Sequence, residues 1–196
     1  FNAVTSSVRD LVQPLIEIKK NGTGNKLAIH AWPKVADLPA QHIPELLNAM
    51  NRANPLGDNW IRAAISKISD KSDSTLPIDE IIQFLNNYSN HADSRVEAFR
   101  IIQSSHPNRA ELLIPEFLND PVMALRREAV AKKLSAAKKE TNKIERINLF
   151  NEVLSKAREI DQITEVSNAL KEDGVIVNLK ELMGFMVDWQ AIGPFD

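Results

Sequence analysis

The chain has 196 residues, of which 43% are hydrophobic and 26% charged, with a formal net charge of −2 and no cysteine. That length can bury a substantial core, as one large domain or two small ones, without a covalent staple. The absence of Cys excludes disulfides, thiolate metal ligands and cysteine nucleophiles, and it leaves the compartment open. No apolar run approaches the roughly 20 residues of a membrane span, and the stretch from Phe1 to Lys19 has neither the basic start nor the unbroken apolar core of a signal peptide. A slightly acidic balance also argues against a dedicated nucleic-acid binder, whose phosphate contacts demand a basic surface.

Apolar spacing predicts helices in pairs along the whole chain. An atypical pair opens it, SSVRDLVQPLIEIKK and, past NGTGN, KLAIHAWPKVADL. HIPELLNAM then aligns Ile43, Leu46, Leu47 and Met50, NRANPLGD breaks the pattern, and NWIRAAISKIS restarts it with Ile61, Ala64, Ile65 and Ile68. The third pair carries Ile78, Ile81, Leu85 and Tyr88, followed after SNHAD by Val96, Phe99 and Ile102. Asp58 and Asp93 each precede a second helix and are the expected N-caps.

In the fourth pair Pro115 shortens or bends RAELLIPEFLND. Asp120 is the expected cap of the next helix, with Pro121 at its first position and Leu125, Ala129, Val130, Leu134 and Ala137 as its buried stripe. The fifth pair uses Ile144, Ile147, Phe150, Leu154 and Ala157, then Ile163, Val166 and Leu170, with Gly174 as a stop. Beyond it Val175, Ile176 and Val177 are β-prone, Asn178 is a cap for a short helix, and the segment from Trp189 to Pro194 reads as a strand entering a tight turn.

Helix pairs at a period of 30 to 50 residues indicate an α-solenoid, because a pair alone cannot bury its own apolar face and stacked neighbours can. The expectation is therefore an all-α fold: an α-α superhelix of about five pairs over residues 1–187, and a short non-helical segment at 188–196. An irregular orthogonal bundle is the alternative that periodicity also admits.

IPELLNAMNRANPLGDNWIRAAISKI, and again LLIPEFLNDPVMALRREAVAKKL, resembles HEAT repeats, with an Asn/Asp-Pro turn and an Arg ahead of an inward Ala. The closing DWQAIGPFD is similar to the first strand of a β-sandwich module that follows HEAT-like helices in large multidomain proteins of planctomycetes and related bacteria. The resemblance implies that 188–196 is a linker or the first strand of a further domain. It also implies an exported or periplasmic location, which composition leaves open.

Catalytic and metal chemistry finds no pattern. His30, His42, His91 and His106 stand outside any HxxxH or HExxH spacing, the adjacent Asp79 and Glu80 point apart on a helix, and Gly22 and Gly24 lack the strand and spacing of a phosphate loop. No catalytic, cofactor or metal residue is expected.

Charge is unevenly distributed. Residues 121–158 hold ten Lys/Arg against four Glu, a balance of +6, and residues 159–196 hold two Lys against eight acids, a balance of −6. Within the basic series, Arg126, Arg127, Lys133 and Lys138 are the candidate contacts for a polyanion or an acidic partner. The expected function is a non-catalytic scaffold, monomeric as an isolated domain, whose partners are proteins or neighbouring domains. The alternative is a HEAT-like enzyme of the DNA glycosylase type, for which Trp32, Trp60 and Asp58 would supply residue types.

Overall fold

The computed structural model describes residues 7–71, 75–182 and 184. The chain forms two compact units, Phe1–Leu113 and Ile114–Asp196. All regular structure among the described residues is helical, and no strand occurs among them.

The first unit contains α1 (Val8–Ile16), α2 (Asn25–Val35), a 3-10 turn (Ala40–His42), α3 (Ile43–Met50), α4 (Pro55–Lys71), α5 (Ile78–Leu85), α6 (Ala92–Ser105) and α7 (Pro107–Leu113). The first helices of the three pairs start at residues 8, 43 and 78, a constant step of 35 residues. Equivalent positions are therefore buried in each: Leu15, Met50 and Leu85. α1 packs on α3 and α3 on α5, while α1 also meets α4 and α3 also meets α6. Contacts between neighbouring pairs of this kind are those of a helical-repeat architecture, in which each pair completes the core of the next. The expected stripes of α3 and α4 are buried in full.

Helix starts follow a different rule from the one expected. α4 begins at Pro55, so Asp58 lies inside its first turns and is buried. Asn54 caps the helix instead, its Oδ1 accepting from the N–H groups of Leu56 (2.9 Å) and Gly57 (3.2 Å). Asn-Pro reads as a turn, but it equally supplies a cap and a first-position proline. Asp93 is likewise inside α6, whose entry is held from the preceding pair: Asn51 Oδ1 accepts from the His91 N–H (2.9 Å) and the Ser94 hydroxyl (2.6 Å). Tyr88 lies beyond the end of α5 and is exposed; its ring lies 4.6 Å from the Arg95 guanidinium. Val96 is only half-buried, because the inward face of α6 runs through Arg95, Ala98, Phe99 and Ile102.

α1 and α4 meet backbone to backbone. Asn54 Nδ2 donates to the Ile18 carbonyl at 2.6 Å, and a Cβ on Gly57 would lie 2.7 Å from the Leu15 carbonyl oxygen. Only glycine permits this approach.

The second unit contains a 3-10 helix (Ile114–Asn119), α8 (Met123–Lys139), α9 (Lys143–Lys156), α10 (Ile160–Glu172) and α11 (Leu179–Leu182). Helix α7 stops and the 3-10 geometry starts just before Pro115, which has no N–H and would clash with a carbonyl four residues earlier. Asp120 and Pro121 precede α8 without entering it; Asp120 Oδ1 accepts from the Val122 N–H at 2.8 Å, an Asx turn that delays the helix to Met123. The core joins Val130, Leu134 and Ala137 to Phe150, Val153, Ile163, Val166 and Leu170. Ile144, expected in that core, is exposed, because the inward stripe of α9 starts a turn later at Ile147.

Gly174 ends α10 at φ 87°, with its N–H bonded to the Lys171 carbonyl and the Val175 N–H to the Leu170 carbonyl. This paired arrangement satisfies the last carbonyls of the helix. Val175, Val177 and Leu179 then pack on the core while Ile176 is exposed, so the alternation of the β-prone stretch is used without forming a strand. The expected boundary at 187/188, and the segment 188–196 with Trp189 and Phe195, lie outside the described residues.

Gly57→Ala should cost about 1–3 kcal/mol through forced separation of α1 and α4. Thermal unfolding followed by circular dichroism checks it, and an unchanged midpoint would mean that the two backbones part freely.

Candidate functional site

Arg126, Arg127, Lys133 and Lys138 of α8 face carboxylates of their own unit. Arg127 grips Asp161 with both terminal nitrogens, at 2.8 and 2.6 Å. Arg126 Nη2 donates to Glu159 Oε1 at 2.6 Å while its Nη1 donates to the Asp120 carbonyl at 2.8 Å. Lys133 pairs with Glu152, and Lys138 with Glu165. On α9, Arg146 forms the same kind of fork with Asp173 and donates to the Glu140 carbonyl at 2.9 Å. The four candidate contacts therefore point to four separate acids instead of converging, and an acidic partner would have to displace them.

These pairs set the local titration. Hydrogen bonding from Arg127 is the first cause that pulls Asp161 down to about 2, and Arg146 lowers Asp173 in the same way. Both forks are geometrically specific, but the Arg127–Asp161 pair is exposed and contributes little to stability.

The first unit buries polar groups that sequence reading missed. Glu97 is 4% exposed and accepts from Arg62 Nε at 2.9 Å and Arg100 Nη1 at 2.7 Å. Arg95, 1% exposed, donates to the Leu85 carbonyl at 2.7 Å. The available signal was spacing: Arg62 and Glu97 are 35 residues apart, one repeat. Asp58 is also buried, and its Oδ1 has no hydrogen-bond partner among the described residues. Burial pushes its carboxyl above 3.8, the nearby Asp93 adds to the shift, and Arg62 and His91 oppose it.

The histidines hold local contacts. His42 Nδ1 lies 2.8 Å from Glu45 and His106 Nδ1 lies 3.0 Å from the Ser105 hydroxyl; His91 precedes α6, and His30 is exposed on α2. Among the described residues no group of three or more His, Asp or Glu could hold a metal ion, and no helix is long and apolar enough to cross a membrane. The NGTGN loop closes on itself through the Lys19 N–H and the Thr23 carbonyl at 3.0 Å.

An apolar groove of about 350 Å³ lies between α2 and α4, lined by Trp32, Asn59, Trp60 and Ala63. Trp32 is pinned by its indole N–H, which donates to the Trp60 carbonyl at 3.1 Å, and Lys67 Nζ stands 5.3 Å from its ring centroid. Leu56, one turn before Trp60 on the same face, is exposed, as are Leu27 and Ile29 on α2. Sequence reading named both tryptophans without seeing that they share a groove.

Comparison of the chain with family models, with curated proteins and with solved structures finds no match.

Two titrations follow. A group whose pKa is raised on folding supports stability below its ordinary pKa and loses that contribution as pH rises, so Asp58→Asn should raise the unfolding midpoint at pH 7 and give a smaller gain at pH 3. Equal gains at both pH values would assign the effect to packing. Asp161 behaves in the opposite sense: its lowered pKa gives stability that is present above 3.8 and lost as pH falls towards about 2. In NMR titrations its carboxyl should move up towards 3.8 when Arg127 is replaced by Leu, and no movement would remove the fork as the cause.

Proposed function

We propose that the chain is a non-catalytic interaction scaffold, with helix pairs arranged as a HEAT-like superhelix and a protein partner held on its surface. The observation that carries this reading is the groove at Trp32 and Trp60. Two large aromatic side chains on adjacent helices, with the exposed Leu56 one turn before Trp60, supply the rigid apolar anchor on which protein interfaces concentrate their energy. The polar side chains support it from the other direction: Arg62, Glu97, Arg126, Arg127 and Arg146 are engaged in joining helices, which is the work of a frame. The basic row Arg126, Arg127, Lys133 and Lys138 is a secondary surface that an acidic partner reaches only by exchange with Glu159, Asp161, Glu152 and Glu165.

Selection from a random peptide display library tests the reading. The expected result is a family of aromatic or aliphatic sequences whose capture is lost in a Trp32→Ala, Trp60→Ala variant of unchanged helical content. Selection of nothing, or release of a modified base from duplex DNA by the chain, would overturn it in favour of no scaffold role or of the glycosylase alternative respectively.

A further inference from the structure

We infer that the groove between α3 and α5 binds an extended segment of a partner protein that carries Lys or Arg at its centre; this rests on the scaffold reading and names the partner's chemistry. The groove encloses about 490 Å³ and has no Lys or Arg in its lining among the described residues. Its walls repeat one another, because α3 and α5 start 35 residues apart. Glu45 and Glu80 are the third residues of their helices, and one turn further Asn48 and Gln83 are the sixth. Two carboxylates thus face the groove in one row and two carboxamides in the next.

The carboxamides have hydrogen-bonding capacity to spare. The Gln83 side chain makes no hydrogen bond among the described residues. Asn48 uses its oxygen to accept from Asn51 Nδ2 at 3.2 Å and leaves its amino group unused, and Asn87, also in the lining, accepts from Ser89 and leaves its own amino group unused. A primary amide places a donor beside an acceptor, the same pair that a peptide unit offers. Only an extended segment has those backbone groups free, since a helix has already consumed them.

The spacing also fits. Packed helices lie roughly 8–10 Å apart, and an extended chain advances about 3.3 Å per residue, so Asn48 and Gln83 would meet peptide units about three residues apart. A Lys or Arg between them can lay its aliphatic stem over Pro44 and Phe84, both half-buried in the lining, and carry its charge to Glu45 and Glu80. Glu80 has no ion pair among the described residues, and Glu45 Oε1 lies 2.8 Å from His42 Nδ1. The acid pair repels nucleic acid and acidic segments. An adjoining groove between α1 and α3 shares Glu45 and Asn48 but is lined by Arg9 and Arg52, so the cation-accepting stretch ends at α3.

Fluorescence anisotropy with a labelled, end-blocked decapeptide of Ser, Thr and Ala bearing Lys at every third position tests the inference, beside the same peptide with Glu in place of Lys. The Lys peptide should bind and the Glu peptide should not. Affinity should fall about tenfold or more in Glu45→Gln, Glu80→Gln and about fivefold or more in Asn48→Ala, Gln83→Ala. N-methylation of the peptide backbone should reproduce the second loss, which attraction between charges alone would not. Equal binding of both peptides, indifference to the amide variant, or no binding of the Lys peptide at millimolar concentration would overturn the groove. If that happens while display still selects peptides dependent on Trp32 and Trp60, the scaffold reading stands and only this groove falls; if display also selects nothing, both fall.

Discussion

A buried or half-buried arginine that reaches back to the end of the preceding element is the contact on which the stacking depends. Arg95, Arg126 and Arg146 are each the fourth residue of their helix, α6, α8 and α9. Arg95 donates to the Leu85 carbonyl at the end of α5, and Arg126 and Arg146 both donate to a carbonyl six residues earlier, of Asp120 and Glu140. Each guanidinium satisfies backbone acceptors that a turn would otherwise leave open, and holds the new helix at a fixed angle to the old one. A charge-assisted bond of this sort is worth about 1.5–3 kcal/mol, much of it offset by desolvation. Its larger effect is geometric, because the planar fork admits one arrangement where a Lys would admit several.

That constraint explains which features could be read from the sequence. Apolar stripes were legible wherever the helix stayed in register with its neighbours: Ile43 to Met50, Ile61 to Ile68 and Leu125 to Ala137 are buried as periodicity predicts. The stop at Gly174 and the break at Pro115 were legible because each acts within its own turn. The starts of α4, α6 and α8 were not, since α6 for one is held by Asn51, which lies 40 residues from His91; the short α11 does start directly after Asn178, as its cap predicts. Arg95 was not legible either: periodicity scores an Arg on the inward face as polar and shifts the stripe to Val96. The candidate site had the same limit, as Trp32 and Trp60 are visible singly while their groove needs the crossing of α2 and α4.

Charge behaves similarly. The segment with a balance of +6 and the one with −6 look like two surfaces for two partners, yet α8 turns its cations to Glu159, Asp161 and Glu165 of the acidic segment and to Glu152 on α9. Opposite blocks separated by about one repeat meet when helices stack, so local excess charge in such a chain reports a helix contact before it reports a ligand. Exposed pairs of this type add little stability. They do oppose misregistry, because a shifted stack would bring like charges together.

The two rows of helices also differ in regularity, and this bears on which of them can present a repeated surface. α1, α3 and α5 start at residues 8, 43 and 78, whereas α2, α4 and α6 start at 25, 55 and 92. The second row varies because each of its helices is entered differently, through Gly24, Asn54 or His91, and is then tied across the stack by Arg62–Glu97 and by Trp32 to the Trp60 carbonyl. A constant step brings residues of like chemistry to the same height on successive helices, as it does for Glu45 with Glu80 and Asn48 with Gln83. An extended polypeptide is itself periodic, and only a face with a fixed step can match it over more than one contact. The first row therefore suits a repeating backbone ligand, while the second, with its unequal entries and two adjacent tryptophans, suits a single apolar anchor.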